Sequence, residues 1–207
     1  MDPATTGRFE AAVAFARDIH AGQTRKGGTT PYLDHVLVVA GHVERHAGTE
    51  DERVAAVLHD TVEDGGGLPV LDRIRERFGV RVAGLVDEMS DSVVDTTAGE
   101  TKAPWRARKE AYIARLGHKS ESAALIKAAD QLSNLGDCLE DYRKVGDKVW
   151  LRFNTGPDDN ASKRRELTLW YHRAVLAGLR AHGFARTPAI LDEVAEVLDR
   201  LERESAS

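Results

Sequence analysis

A chain of 207 residues, 42% hydrophobic and 30% charged, is long enough for one well-buried core and has the make-up of an ordinary globular protein. Its 29 basic and 34 acidic residues leave a formal charge of −5, which speaks against a dedicated nucleic-acid binder. A single cysteine, Cys138, excludes an intramolecular disulfide framework, and no apolar run reaches membrane-spanning length. The stretch Met1–Thr6 has neither the basic nor the apolar part of a signal peptide, so a cytoplasmic location without membrane contact is expected.

Helical periodicity dominates the chain. Phe9, Val13, Ala16 and Ile19 form an apolar stripe that ends near Gly22. Pro31 opens a second segment, with Val36, Val39, Ala40 and Val43 on one face and Gly48 beyond it. The pattern predicts a third helix from Asp51 to Glu63, closed by Gly65-Gly66-Gly67. Leu71, Ile74 and Phe78 mark a fourth helix, stopped by Gly79, and Val82, Leu85, Val86 and Met89 mark a fifth. Residues 90–103 have no stripe and read as a loop. Helices resume over 104–116 and 121–139. A second loop, with Gly146, Gly156, Pro157 and the pair Asp158-Asp159, covers 144–160, and two more helices cover 162–182 and 188–204. With no strand run and no internal repeat, the expected fold class is all-α. One compact multi-helix domain over 1–207 is the economical reading, its core about 7–183 and its last helix about 188–204.

The stretch His59-Asp60-Thr61-Val62-Glu63-Asp64 sets one imidazole and three carboxylates on little more than one helical turn. A divalent ion needs ligands that converge from different helices, and His35 and Asp130 are the candidates to complete the set. Two imidazoles with two carboxylates suit Mn²⁺, Fe²⁺, Zn²⁺ or Co²⁺ better than Ca²⁺. A His-Asp doublet alone is a weak signal, because most charged side chains simply face water. The following acids strengthen it: at a helix C-terminus Glu63 and Asp64 oppose the helix dipole, a cost that something else must offset. Asp130 and Asn134 form an i, i+4 pair beside the stripe Leu125, Ala128, Leu132 and Leu135. Arg25-Lys26-Gly27-Gly28 offers two cations on a flexible turn, suited to a phosphate or a base. Trp105, Trp150 and Trp170 read as core or loop anchors, and the remaining histidines as structural or surface residues.

His35…His59-Asp60…Asp130 resembles the signature of HD-domain phosphohydrolases. The wider text is similar to the hydrolase domain of RelA/SpoT-type alarmone enzymes, especially the small stand-alone SpoT-homologue hydrolases. The matching stretches are His20-Ala21-Gly22-Gln23-Thr24-Arg25-Lys26-Gly27-Gly28, Pro31-Tyr32-Leu33-Asp34-His35, Val57 to Asp64, Phe78-Gly79, and Lys127-Ala128-Ala129-Asp130 with Asn134-Leu135. The similarity is strongest over residues 9–90 and 121–140.

That resemblance implies an HD-domain fold and a metal-dependent guanosine 3′,5′-bis(diphosphate) 3′-pyrophosphohydrolase, a hydrolase half without a synthetase half. It would turn (p)ppGpp into GDP or GTP and pyrophosphate, with (p)ppApp or NADPH as extensions. The alternative is a general HD-domain nucleotidase. The resemblance further implies Mn²⁺ or another divalent metal as cofactor, held by His35, His59, Asp60 and Asp130, with Glu63 and Asp64 as catalytic acids. The partner is then a small purine nucleotide. Arg25 would pack on the purine with Lys26 beside it, Asn134 would contact the sugar-phosphate, and Arg164 would lie on the phosphate side. The sequence departs from the family pattern at Gln131, Gly136 and Thr168, and at Trp105 in place of a lysine. These departures bear on substrate choice rather than on the metal centre.

Overall fold

Every regular element in the computed structural model, which describes residues 3–157 and 159–206, is helical. Of the expected 1–207 span, Met1, Asp2, Asp158 and Ser207 lie outside the described residues. The α-helices are α1 (Pro3–Ile19), α2 (Tyr32–Arg45), α3 (Glu50–Leu58), α4 (Thr61–Gly65), α5 (Leu68–Phe78), α6 (Val80–Met89), α7 (Trp105–Ala114), α8 (Glu121–Val145), α9 (Ala161–His182) and α10 (Pro188–Glu204). The fold is all-α.

Caps explain most of the boundaries. Thr49 and Glu52 form a reciprocal capping box at the start of α3. Ser120 and Asn160 accept from the backbone amides of Ala123 and Lys163 to start α8 and α9. Gly79, at φ 92°, ends α5, because only glycine takes that conformation without a Cβ clash.

The long helix α8 runs through the centre and packs on α2, α3, α6 and α10. Every residue from Ala123 to Ser133 is buried, polar ones included. A helix covered on all sides belongs to a core, so its polar members must find partners inside. Leu58, Leu125, Ile126 and Leu135 are fully buried, each worth roughly 1.5–3 kcal/mol against exposure. Buried side chains from Ala12 to Leu201 belong to one contiguous cluster.

Three sequence expectations change. The predicted helix over 51–63 breaks at His59 and Asp60. Thr61 Oγ1 donates to the Leu58 carbonyl at 2.6 Å and His59 Nδ1 to that of Ala56 at 2.7 Å, so side chains compete with the backbone there. Glu63 and Asp64 therefore sit in the first turn of α4 rather than at the end of a long helix, and the dipole argument against them falls away. The second loop contains a 3₁₀ turn, Gly146–Arg152. The Arg25-Lys26 turn is closed by an antiparallel bridge between Thr24 and Pro31, with Arg25 N donating to the Thr30 carbonyl at 2.8 Å.

Candidate active site

α2, the α3–α4 junction and α8 bring four side chains to one point. His35 Nε2 lies 3.4 Å from Asp130 Oδ1 and 3.9 Å from Asp60 Oδ2. His59 Nε2 lies 3.0 Å from Asp60 Oδ2 and 3.6 Å from Asp130 Oδ1. Among the described residues, His35, His59 and Asp130 offer ligand atoms that all lie within 4.8 Å of one another, a group that does not include Asp60.

Whether these groups suit a cation can be read from their outer bonds. Both Nε2 atoms are buried without a hydrogen-bond partner. The opposite ring nitrogens are tied back, His35 Nδ1 to Ser133 Oγ at 3.0 Å and His59 Nδ1 to the Ala56 carbonyl. An imidazole anchored through one nitrogen presents the other as a lone pair, the usual state of a metal-ligating histidine. Asp130 accepts from Lys127 Nζ at 2.7 Å and from Asn134 Nδ2 at 2.5 Å, and Asp60 from the Tyr32 hydroxyl at 2.5 Å. Burial disfavours a charged Asp130, yet the Lys127 ammonium holds its carboxyl well below the usual range. The donor set fits a divalent cation.

His59, Asp60 and Asp130 form part of the wall of a cavity of about 310 Å³, with His35 buried behind them. Glu63 and Asp64 line it beside them, with Lys102 Nζ 4.0 Å from Glu63 and 3.8 Å from Asp64. Burial pushes the Glu63 carboxyl up to about 7, and the negative charge of Asp91 adds to the shift. Asp64 is raised too, by burial and then by Asp60. Asp91 behaves oppositely: burial works against its charge, but Lys109 and Arg108 hold it at about 2. Its backbone amide donates to Glu63 Oε1 at 2.7 Å, which fixes that carboxyl.

Arg25, Lys26 and Asn134 line the same cavity. Arg25 donates to Asn134 Oδ1 at 2.7 Å and to Asp137 Oδ2 at 2.9 Å, so its guanidinium is held in place. Burial lowers the pKa of Lys26, with Lys109 adding to the effect. Arg164 is not among the lining residues. Its guanidinium donates to the carbonyls of Leu151, Phe153, Asp159 and Gly156 at 2.7–3.4 Å, tying these four backbone positions to α9.

Several lining residues carried no sequence signal. Lys102, Arg108 and Lys109 come from the loop after α6 and from α7, where no apolar stripe pointed inward. Lys127, fully buried beside Asp130, could have been suspected from its place in the Lys-Ala-Ala-Asp run. The departures have physical settings. Gln131 bonds to His172, whose pKa burial lowers to about 3, so a neutral amide meets a neutral imidazole. A Cβ on Gly136 would meet nothing within 4 Å. Trp105 lines the cavity, packed edge-on against Trp170 and Tyr171.

A family described as HD domain matches residues 12–153. The mouse guanosine-3′,5′-bis(diphosphate) 3′-pyrophosphohydrolase MESH1 is 40% identical over 129 residues, 61% of this chain and 66% of its own length. The chain thus spans slightly under two thirds of that relative. The Drosophila melanogaster protein of the same name is 30% identical over 173 residues, 82% of this chain and 84% of its own. A solved structure described as a metazoan ortholog of SpoT that hydrolyses ppGpp superimposes with a TM-score of 0.67 at 29% identity, covering 95% of this chain and 94% of that one.

Proposed function

The chain belongs to the HD domain family, and from that premise we propose that it is a metal-dependent guanosine 3′,5′-bis(diphosphate) 3′-pyrophosphohydrolase. The observation that carries this reading is the convergence of His35, His59, Asp60 and Asp130 at the wall of a cation-lined cavity that also holds two acids of raised pKa. In this reading those four residues hold Mn²⁺ or another divalent ion. A bound ion supplies Lewis-acid activation of water and of the phosphoryl group at neutral pH.

The protein's own residues do the rest. Glu63, at about 7, can keep a proton near neutral pH and donate it to the departing 3′-oxygen as the P–O bond breaks. Asp64 orients the attacking water and takes its proton. Water adds to the phosphorus next to the 3′-oxygen, the nucleoside regains its 3′-hydroxyl, and pyrophosphate leaves. Lys102, Arg108 and Lys109 offer positive charge to the two diphosphate groups, while Arg25 packs on the purine and Asn134 contacts the sugar-phosphate. The same chemistry extends to (p)ppApp or NADPH, because a guanidinium face stacks on any purine.

One domain over the whole chain and a cytoplasmic setting belong to the same proposal. The contiguous core and the buried free thiol of Cys138 support them, and no described helix is long and apolar enough to cross a membrane.

Incubation with Mn²⁺ and guanosine 3′,5′-bis(diphosphate) is expected to give GDP and pyrophosphate in equal amounts. Orthophosphate as the only product across a nucleotide panel would sink the assignment in favour of a general nucleotidase. Asp60→Ala should abolish both metal binding and hydrolysis, and retained turnover would refute the ligand set.

A further inference from the structure

Three of the four converging side chains have obvious supports behind them: Ser133 for His35, the Ala56 carbonyl for His59, and Lys127 with Asn134 for Asp130. Asp60 differs. It sits where α3 breaks, its side chain is 24% exposed, and it caps nothing on α4. An aspartate so placed has rotamer freedom that the other three lack.

We infer that Tyr32 is the positioning residue for Asp60, an inference that rests on Asp60 being a metal ligand. The Tyr32 hydroxyl donates to Asp60 Oδ2 at 2.5 Å, the same oxygen that stands 3.0 Å from His59 Nε2. A carboxylate oxygen has two lone pairs, so one can serve the hydroxyl and leave the other, with Oδ1, for an ion. Tyr32 can do this because it is itself held. Its ring centroid lies 4.8 Å from that of His20 and 5.5 Å from that of His35, and its backbone amide donates to the Gln23 carbonyl at 3.0 Å. As the first residue of α2, one turn before His35, it ties two ligands to one rigid element. The Arg25 guanidinium lies 5.6 Å from the same ring, so the support also reaches the purine side of the cavity.

A hydrogen bond behind a ligating carboxylate acts on metal affinity, and its loss typically weakens binding about 10–100-fold. The test is Mn²⁺ titration by calorimetry, without nucleotide, of the wild-type chain, Tyr32→Phe and Tyr32→Leu. The phenylalanine keeps the ring packed between His20 and His35 and removes only the hydroxyl. Tyr32→Phe is expected to bind Mn²⁺ about 10–100-fold more weakly and to regain most of its kcat at saturating Mn²⁺. A merely structural role would not move the half-saturating metal concentration while leaving kcat recoverable. If Tyr32→Phe binds Mn²⁺ like wild type and only Tyr32→Leu weakens, the ring alone matters and the inference is overturned. If the wild-type chain binds no Mn²⁺, the ligand reading falls and takes this inference with it.

Discussion

Glu52 and Glu63 stand at opposite ends of the same largely buried segment, and it is their company that sets them apart. Glu52, in the first turn of α3, has a fully buried side chain. Arg186 grips it with two hydrogen bonds of 2.7 and 2.9 Å, and the Thr49 amide adds a third. Burial alone would raise its pKa, yet these partners hold it at about 2. Glu63, one turn past the end of α3, has one backbone amide and a lysine 4.0 Å away, and burial pushes it to about 7. The paired acid is a structural tie between α3 and the turn before α10. The underpaired one is free to exchange a proton in the cavity. A buried acid left underpaired inside a cleft is where function is to be sought.

Removing the proton from Glu63 should give the largest effect. Glu63→Gln is isosteric but cannot exchange a proton, and its kcat should fall on the order of 10²–10⁴-fold. Mn²⁺ affinity measured by calorimetry should stay near wild type, because Glu63 is no part of the ligand set. Turnover within tenfold of wild type would remove the functional half of the contrast.

The structural half breaks at Arg186. Arg186→Met leaves Glu52 charged, buried and without its main partner. That should cost about 3 kcal/mol, the low end for a broken buried pair, since the arginine is itself 35% exposed. Urea unfolding should show the loss as a lower midpoint at unchanged slope. Because Arg186 does not line the cavity, kcat/KM should hold at temperatures where the variant stays folded. An unchanged midpoint would mean that Glu52 is no structural tie.

This contrast was only half legible in the sequence. Helix α2 followed from an apolar stripe between Pro31 and Gly48, because local periodicity reports burial directly. His35, His59, Asp60 and Asp130 stood out because their residue types are wrong for packing. The break at His59-Asp60 was hidden, since both residues keep right-handed helical angles while the side chains of His59 and Thr61 engage the carbonyls of Ala56 and Leu58. Arg164 was offered for the phosphate side by resemblance alone, and its carbonyl partners, at positions 151, 153, 156 and 159, could not be read from the sequence. Nothing local marks Glu52 as Arg186's partner, a contact that spans 134 positions. Non-local pairing decides the charge state of an acid, and non-local pairing is what periodicity does not carry.

The smallest effect is also the sharpest test, because the two glutamates should tilt stability in opposite directions. In metal-stripped protein, Glu52 has a folded pKa of about 2 against an ordinary 4.5. Its contribution is present above about pH 4.5 and is lost as pH falls toward 2. Glu63 has a folded pKa of about 7 against 4.5, so its contribution is present below about pH 4.5 and is lost as pH rises through 7. The second limb should be worth on the order of 1–2 kcal/mol, since Glu63 is partly exposed and the cavity can relax. Stability measured from pH 2 to 8 should therefore rise and then decline. Glu63→Gln should reduce only the upper limb, with Asp64, also raised, keeping part of it. Glu52→Gln should reduce only the lower one, with Asp91, also at about 2, keeping part of the acid slope. An upper limb that survives Glu63→Gln unchanged would mean that some other group carries the neutral-pH titration.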